Sequence, residues 1–210
     1  MNVRHSPPNL SFMTYADWAE VLARNLLAGS LPRRWAHSQG VAITARTLAP
    51  LLRGAEDLVT AAAWLHDVGY APGLHMTGFH PLDGARYLRD IHQADPMLCR
   101  LVVHHSCAIN EAAERGLAAD LAREFQPAPH DLTDALIYCD MVTSPDGHRM
   151  TVEHRLNEIR ARYGPDSVVS RALARSAPEL TSAVSRVTCK LARAVPSADP
   201  DGLAMSLAAN

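Results

Sequence analysis

The chain has 210 residues, 48% of them hydrophobic, and a formal net charge of −2; this is enough apolar material for a core without disulfides, too much for a disordered chain, and without the basic surplus of a protein that grips many phosphates. Cys99, Cys107, Cys139 and Cys189 are scattered, with no Cys-x-x-Cys pair, which excludes a zinc knuckle or a disulfide scaffold and reads as reduced core thiols. No stretch approaches the roughly 18 unbroken apolar residues of a spanning helix, and Met1 to Leu10 lack the apolar run of a signal peptide, so the expectation is a cytoplasmic protein with no membrane and no dedicated nucleic-acid partner.

Residues 1–11 carry prolines and polar side chains without periodicity and read as a flexible lead. A first helix is expected over Phe12 to Leu27, after which Gly29-Ser30-Leu31-Pro32 ends it and starts another. That second helix runs from Pro32 to Ala49, stops at Pro50, and carries His37 one turn beyond Arg33 and Arg34. Gly54 to Asp57 open a central helix in which Leu58, Ala61, Ala62 and Leu65 recur at helical spacing, with Gly69 as terminator. Near its end stand His66 and Asp67, a costly pair to bury unless a cation or hydrogen bonds compensate them.

A Gly- and Pro-containing loop holding His75 and Thr77 covers Tyr70 to Gly78; helical pattern resumes at Phe79-His80-Pro81, with Asp83 placed to cap or orient that helix. Pro96 to His105 puts Leu98, Leu101, Val102 and His105 on one apolar stripe, with His104 beside it. A polar helix over Asn110 to Phe125, a buried one over Leu132 to Val142 carrying Asp140, a break at Thr143 to His148 with Asp146 as a turn residue, and an amphipathic helix closed by Gly164-Pro165 follow. Two last helices are expected near Asp166 to Ser176 and Pro178 to Val195, then a frayed tail over 196–210. No segment alternates like a strand. The expected fold is all-α, one helical domain over 12–195 with its motif core at 32–147.

His37, His66, Asp67, His80, His104 or His105, and Asp140 fall at the ends or inner faces of separate helices, which is how helical bundles build metal sites. Imidazole and carboxylate without thiolate suit iron, manganese, zinc or magnesium. His37, His66, Asp67 and Asp140 are expected to hold one ion, with Asp67 bridging to a second held by His80 and His104; His105 is a candidate ligand, proton donor or packed neighbour. Arg33 and Arg34 are candidates for phosphate contact, the more so because Lys190 is the only lysine.

This series of a histidine, then His-Asp, then a distant aspartate resembles the HD-domain metal-dependent phosphohydrolases, with His37, His66-Asp67 and Asp140 as the match and His80 and His104-His105 as the extra histidines of two-metal members. Two features depart from family patterns: Tyr70 follows Val68-Gly69 where many members have lysine, and no Gly-Tyr-Pro follows His104-His105. Cyclic-dinucleotide hydrolases are therefore poor guides. The resemblance implies a helical hydrolase with one or two divalent ions, cleaving a phosphoester or phosphoanhydride of a small phosphorylated metabolite or nucleotide, with Asp67 and His105 as candidate catalytic groups. It also leaves open a di-iron oxygenase and a non-catalytic, metal-containing nucleotide-binding module.

Overall fold

A computed structural model describes residues 13–194; the expected lead and tail, with Phe12 and Val195, lie outside them. Eleven α-helices are present among the described residues: α1 Tyr15–Leu27, α2 Pro32–Arg46, α3 Ala49–Leu52, α4 Glu56–Leu65, α5 His80–His92, α6 Pro96–His104, α7 Ala108–Glu114, α8 Ala118–Glu124, α9 His130–Met141, α10 Val152–Tyr163 and α11 Val168–Ala194. Short 3-10 turns at Val68–Tyr70 and His105–Cys107 follow α4 and α6. No strand occurs among the described residues, only a single bridge between Thr143 and Arg149. None of the described helices is long and apolar enough to cross a membrane.

The bundle is built around α4. Every residue from Val59 to Leu65 is buried, and α1, α2, α6 and α9 pack against it. Alanines favour this packing: Ala61, Ala62 and Ala63 share one buried core with Ala19 and Ala23 of α1 and Ala42 and Ala45 of α2, and small side chains let helices approach closely. α1 is fixed at its start by a capping box, in which the Asp17 amide donates to the Thr14 hydroxyl (3.1 Å) and the Thr14 amide to Asp17 (3.0 Å). The amides of Tyr15 and Ala16 also donate to Asp57 of α4, at 2.8 and 2.9 Å.

Several boundaries differ from expectation. α1 begins at Tyr15 because Thr14 caps it. α2 ends at Arg46, and Pro50 sits in the first turn of α3, where its missing N–H costs nothing. α4 ends at Leu65, so His66 and Asp67 lie on the turn rather than within the helix. The polar helix divides into α7 and α8 at Gly116, whose φ of +72° breaks the register. The two last helices are one: α11 passes through Pro178, which is exposed, as is Ala174, whose carbonyl loses its partner and meets water instead. The cysteines are all free, but only Cys99 and Cys139 are buried; Cys107 is half-buried and Cys189 exposed, since the end of α11 leaves the core.

Two glycine contacts set the geometry around the site. A Cβ on Gly69 would stand 2.0 Å from the His80 carbonyl oxygen and 2.7 Å from the Gly84 nitrogen, so the turn after α4 touches the backbone of α5 directly. A Cβ on Gly40 would lie 2.4 Å from the Gly147 oxygen, which locks α2 against the loop after α9. Gly69→Ala is accordingly expected to destabilise the fold by about 2–3 kcal/mol. Gly29→Ala, with open space around it, is expected to shift stability by less than about 1 kcal/mol; urea unfolding of the two variants checks both.

Candidate metal centre

Five elements deliver the site. His37 comes from the second turn of α2, His66 and Asp67 from the turn closing α4, His80 is the first residue of α5, His105 follows α6, and Asp140 is near the end of α9. His37, His66, Asp67, His105 and Asp140 are all buried. Two triads share one carboxylate: ligand atoms of His37, His66 and Asp67 lie within 4.8 Å of one another, and so do those of Asp67, His80 and His105.

The imidazoles are oriented by the backbone. Nδ1 of His37 is 2.9 Å from the Ser144 carbonyl, Nδ1 of His66 is 2.8 Å from that of Ala63, and Nδ1 of His105 is 2.6 Å from that of Val102. A carbonyl only accepts, so each Nδ1 must donate, and the lone pair of each neutral ring is left on Nε2. The three Nε2 atoms turn inward. That of His66 is buried with no hydrogen-bond partner, and that of His37 lies 2.9 Å from the Asp140 Oδ1 and 3.3 Å from Nη2 of Arg155. Nε2 of His80 stands 3.3 Å from both Asp67 Oδ1 and His105 Nε2. The orphaned His66 lone pair beside the Asp67 carboxylate calls for a cation, and a nitrogen–oxygen donor set without thiolate suits iron, manganese or zinc. The residues fit a divalent metal, with their outer nitrogens anchored as metal-binding histidines require.

Arginines hold the carboxylates charged. Burial would raise the Asp67 carboxyl, but Arg34 at 2.8 Å, with His66 and His80 nearby, brings it well below the ordinary carboxylate value. Burial acts the same way on Asp140 and is overcome by His37, whose Nε2 lies 2.9 Å from Oδ1, and by Arg155, whose Nη2 lies 3.3 Å from the same oxygen. The Ser106 hydroxyl donates to the other Asp140 oxygen. Arg34 is further fixed over the Tyr70 ring, 3.7 Å from its centroid, and by the Tyr163 hydroxyl at 3.3 Å.

The expected second-ion ligand His104 points elsewhere: its Nε2 donates to the Phe125 carbonyl at 3.1 Å. α6 ends at His104, and the left-handed residues Ser106 (φ 51°) and Cys107 (φ 58°) swing the chain so that His105 enters the cluster. For non-glycine residues that conformation costs about 1–2 kcal/mol each. The apolar stripe through Leu98, Leu101 and Val102 already favours His105. With its lone pair on Nε2, His105 has the form of a ligand rather than a proton donor. Arg33 is exposed and pairs with Asp146 (2.8 Å), away from the cluster; Arg34 is the inward one. Asp83 accepts from the Thr77 hydroxyl and from the Thr77 and Gly78 amides, so Thr77 shapes the loop before α5 and His75 remains exposed.

Sequence reasoning missed Arg155, Ser106 and Tyr163. Arg155 had a signal: with Val152, Leu156 and Ile159 it falls on the apolar stripe of α10.

Acid should unfold the metal-free protein in two stages. Burial lowers His80 and His105 below their ordinary 6.5, so the unfolded chain gains protons first and stability falls as pH drops from about 7 toward 5. Asp67 and Asp140 lie below 3.8; the stability they confer is present above that value and is lost as pH falls further. Urea midpoints measured against pH are expected to show both declines, with the first reduced in His80→Gln.

A family model described as HD domain matches residues 34–141, just over half of the 210. No curated protein and no solved structure matches the chain. That family match, on a helical core without strands among the described residues, makes the chain a member of the HD-domain superfamily of metal-dependent phosphohydrolases.

Proposed function

We propose that the chain is a metal-dependent phosphohydrolase that cleaves a phosphoester or phosphoanhydride bond of a small molecule. The observation that carries this reading is the buried, unpartnered Nε2 of His66 in one of two His/Asp triads that share Asp67, with Asp67, His80 and His105 lining a cleft together with Arg34, Arg155 and Arg162. His37, His66, Asp67 and Asp140 would hold one ion, and Asp67, His80 and His105 a second. When bound, divalent ions supply the Lewis acidity that makes water a nucleophile near neutral pH.

The chain's own groups do the rest. Arg155 is buried, lines the cleft, and is held by Asp140 and Glu158, which fixes its guanidinium beside the site where a phosphoryl group would lie. Arg34 is rigid, clamped between Tyr70, Tyr163 and Asp67, so little order is lost when it meets an anion. Both side chains are pre-oriented for charge that spreads over the phosphoryl oxygens during displacement. Ser106 orients Asp140.

A second reading has one supporting feature: two imidazole-rich triads bridged by one carboxylate also suit a di-iron centre acting on dioxygen. Iron-dependent oxygen uptake without phosphate release would favour it, and metal binding with neither activity would favour a non-catalytic module.

Asp67→Ala is expected to lower phosphate release from any accepted substrate by more than about 100-fold; retention of the wild-type rate would refute the reading. Elemental analysis is expected to find less divalent metal per chain in His105→Ala than in wild type and an unchanged amount in His104→Ala, since only His105 faces the cluster.

A further inference from the structure

Resting on the phosphohydrolase reading, we infer that the body of the substrate is a short aliphatic group rather than a nucleoside, held by a wall that α10 and α11 place over the metal centre. The cleft has a volume of about 100 Å³, below the roughly 300–1,000 Å³ of pockets that enclose drug-sized ligands. Beyond the arginines its wall is Ile159, Val169, Ala172 and Leu173, with Pro81 opposite. Four branched or small aliphatic side chains offer contact to a short hydrocarbon and no hydrogen bond to a base edge.

Both faces of its Tyr70 ring are already used. The Tyr70 ring lies face to face with His80, centroids 3.8 Å apart and planes 18° apart. Arg34 stands 3.7 Å over the same centroid, and two groups so close to one centroid must take opposite faces. The Tyr163 hydroxyl accepts from Arg34, and Arg162 lies over the Tyr163 ring at 5.0 Å. No tyrosine face on Tyr70 is left for a nucleobase to stack on.

Its hydroxyl and carboxylate side chains already have partners within the protein. Ser106 donates to Asp140, Ser176 accepts from Asn110 (2.9 Å), and Glu111 pairs with Arg115 (2.7 Å). No asparagine or glutamine lines the cleft among the described residues, so the amide edge that would read a base is missing. Arg34 and Arg155 take the phosphate, and the aliphatic wall takes what is esterified to it. The reaction is R–O–PO₃²⁻ plus water giving R–OH and HPO₄²⁻: the water oxygen bonds to phosphorus, the P–O ester bond breaks, and one water proton ends on the leaving oxygen.

The test uses the full chain with its native metal, and butyl phosphate and AMP as probes. Wild type is expected to release phosphate from butyl phosphate with kcat/KM at least about tenfold above that for AMP. Val169→Asn, at a half-buried wall position, is expected to narrow that ratio by about tenfold at unchanged metal content. Equal or better hydrolysis of AMP, or an unchanged ratio in the variant, would overturn the inference. If neither ester is cleaved, the phosphohydrolase reading fails, and calorimetry with butylphosphonate and the methylenephosphonate analogue of AMP, neither of which has a P–O–C bond, still decides. Tighter binding of butylphosphonate upholds the aliphatic wall, and equal or weaker binding overturns it.

Discussion

Two ionised carboxylates, Asp67 and Asp140, lie buried in the middle of a helical core, and the architecture follows from keeping them so. A buried carboxylate without compensation would take up a proton. Each is instead met by an arginine, Arg34 at one and Arg155 at the other, and by imidazoles whose outer nitrogens are tied to backbone carbonyls. Those carbonyls belong to the last turn of α4, the last turn of α6 and the loop after α9, so helix ends converge on one point. The backbone contact of Gly69 with α5 and of Gly40 with the 143–148 loop holds them there.

Much of this was legible in the chain. Leu58, Ala61, Ala62 and Leu65 at helical spacing announced the central helix, and histidines at helix ends announced a site, because both are local patterns with one dominant physical reading. His105 could be separated from His104 by the stripe it shares with Leu98, Leu101 and Val102, yet the reason it turns inward, two left-handed residues at Ser106 and Cys107, leaves no mark on composition. Pro178 was misread for a different cause. A proline interrupts a helix when its lost hydrogen bond is buried, and sequence does not say that this one faces water.

Arg155 and Tyr163 show where the reading runs out. An arginine among apolar neighbours on an amphipathic helix looks like a charge at the edge of a solvated face until the partner is known, and Asp140 is a contact made across the fold rather than along it. The counter-charge of a buried anion is a tertiary quantity. Arg34 was visible because it stands one turn from a ligand; Arg155 stands on a helix that begins after the last one.

The groups proposed to hold metal all come from residues 37–140, whereas the aliphatic side chains of the cleft are carried by α10 and α11. On the proposed reading, ion binding and the choice of substrate would fall to consecutive stretches of the chain. Such a division would let substitutions on the last two helices reshape the wall while leaving the ligands in place. Arg155 and Tyr163 are the exceptions, side chains of α10 that reach back to Asp140 and Arg34. They are the rivets that tie the two stretches to each other, so a change of wall that moved α10 would also move the counter-charge of Asp140.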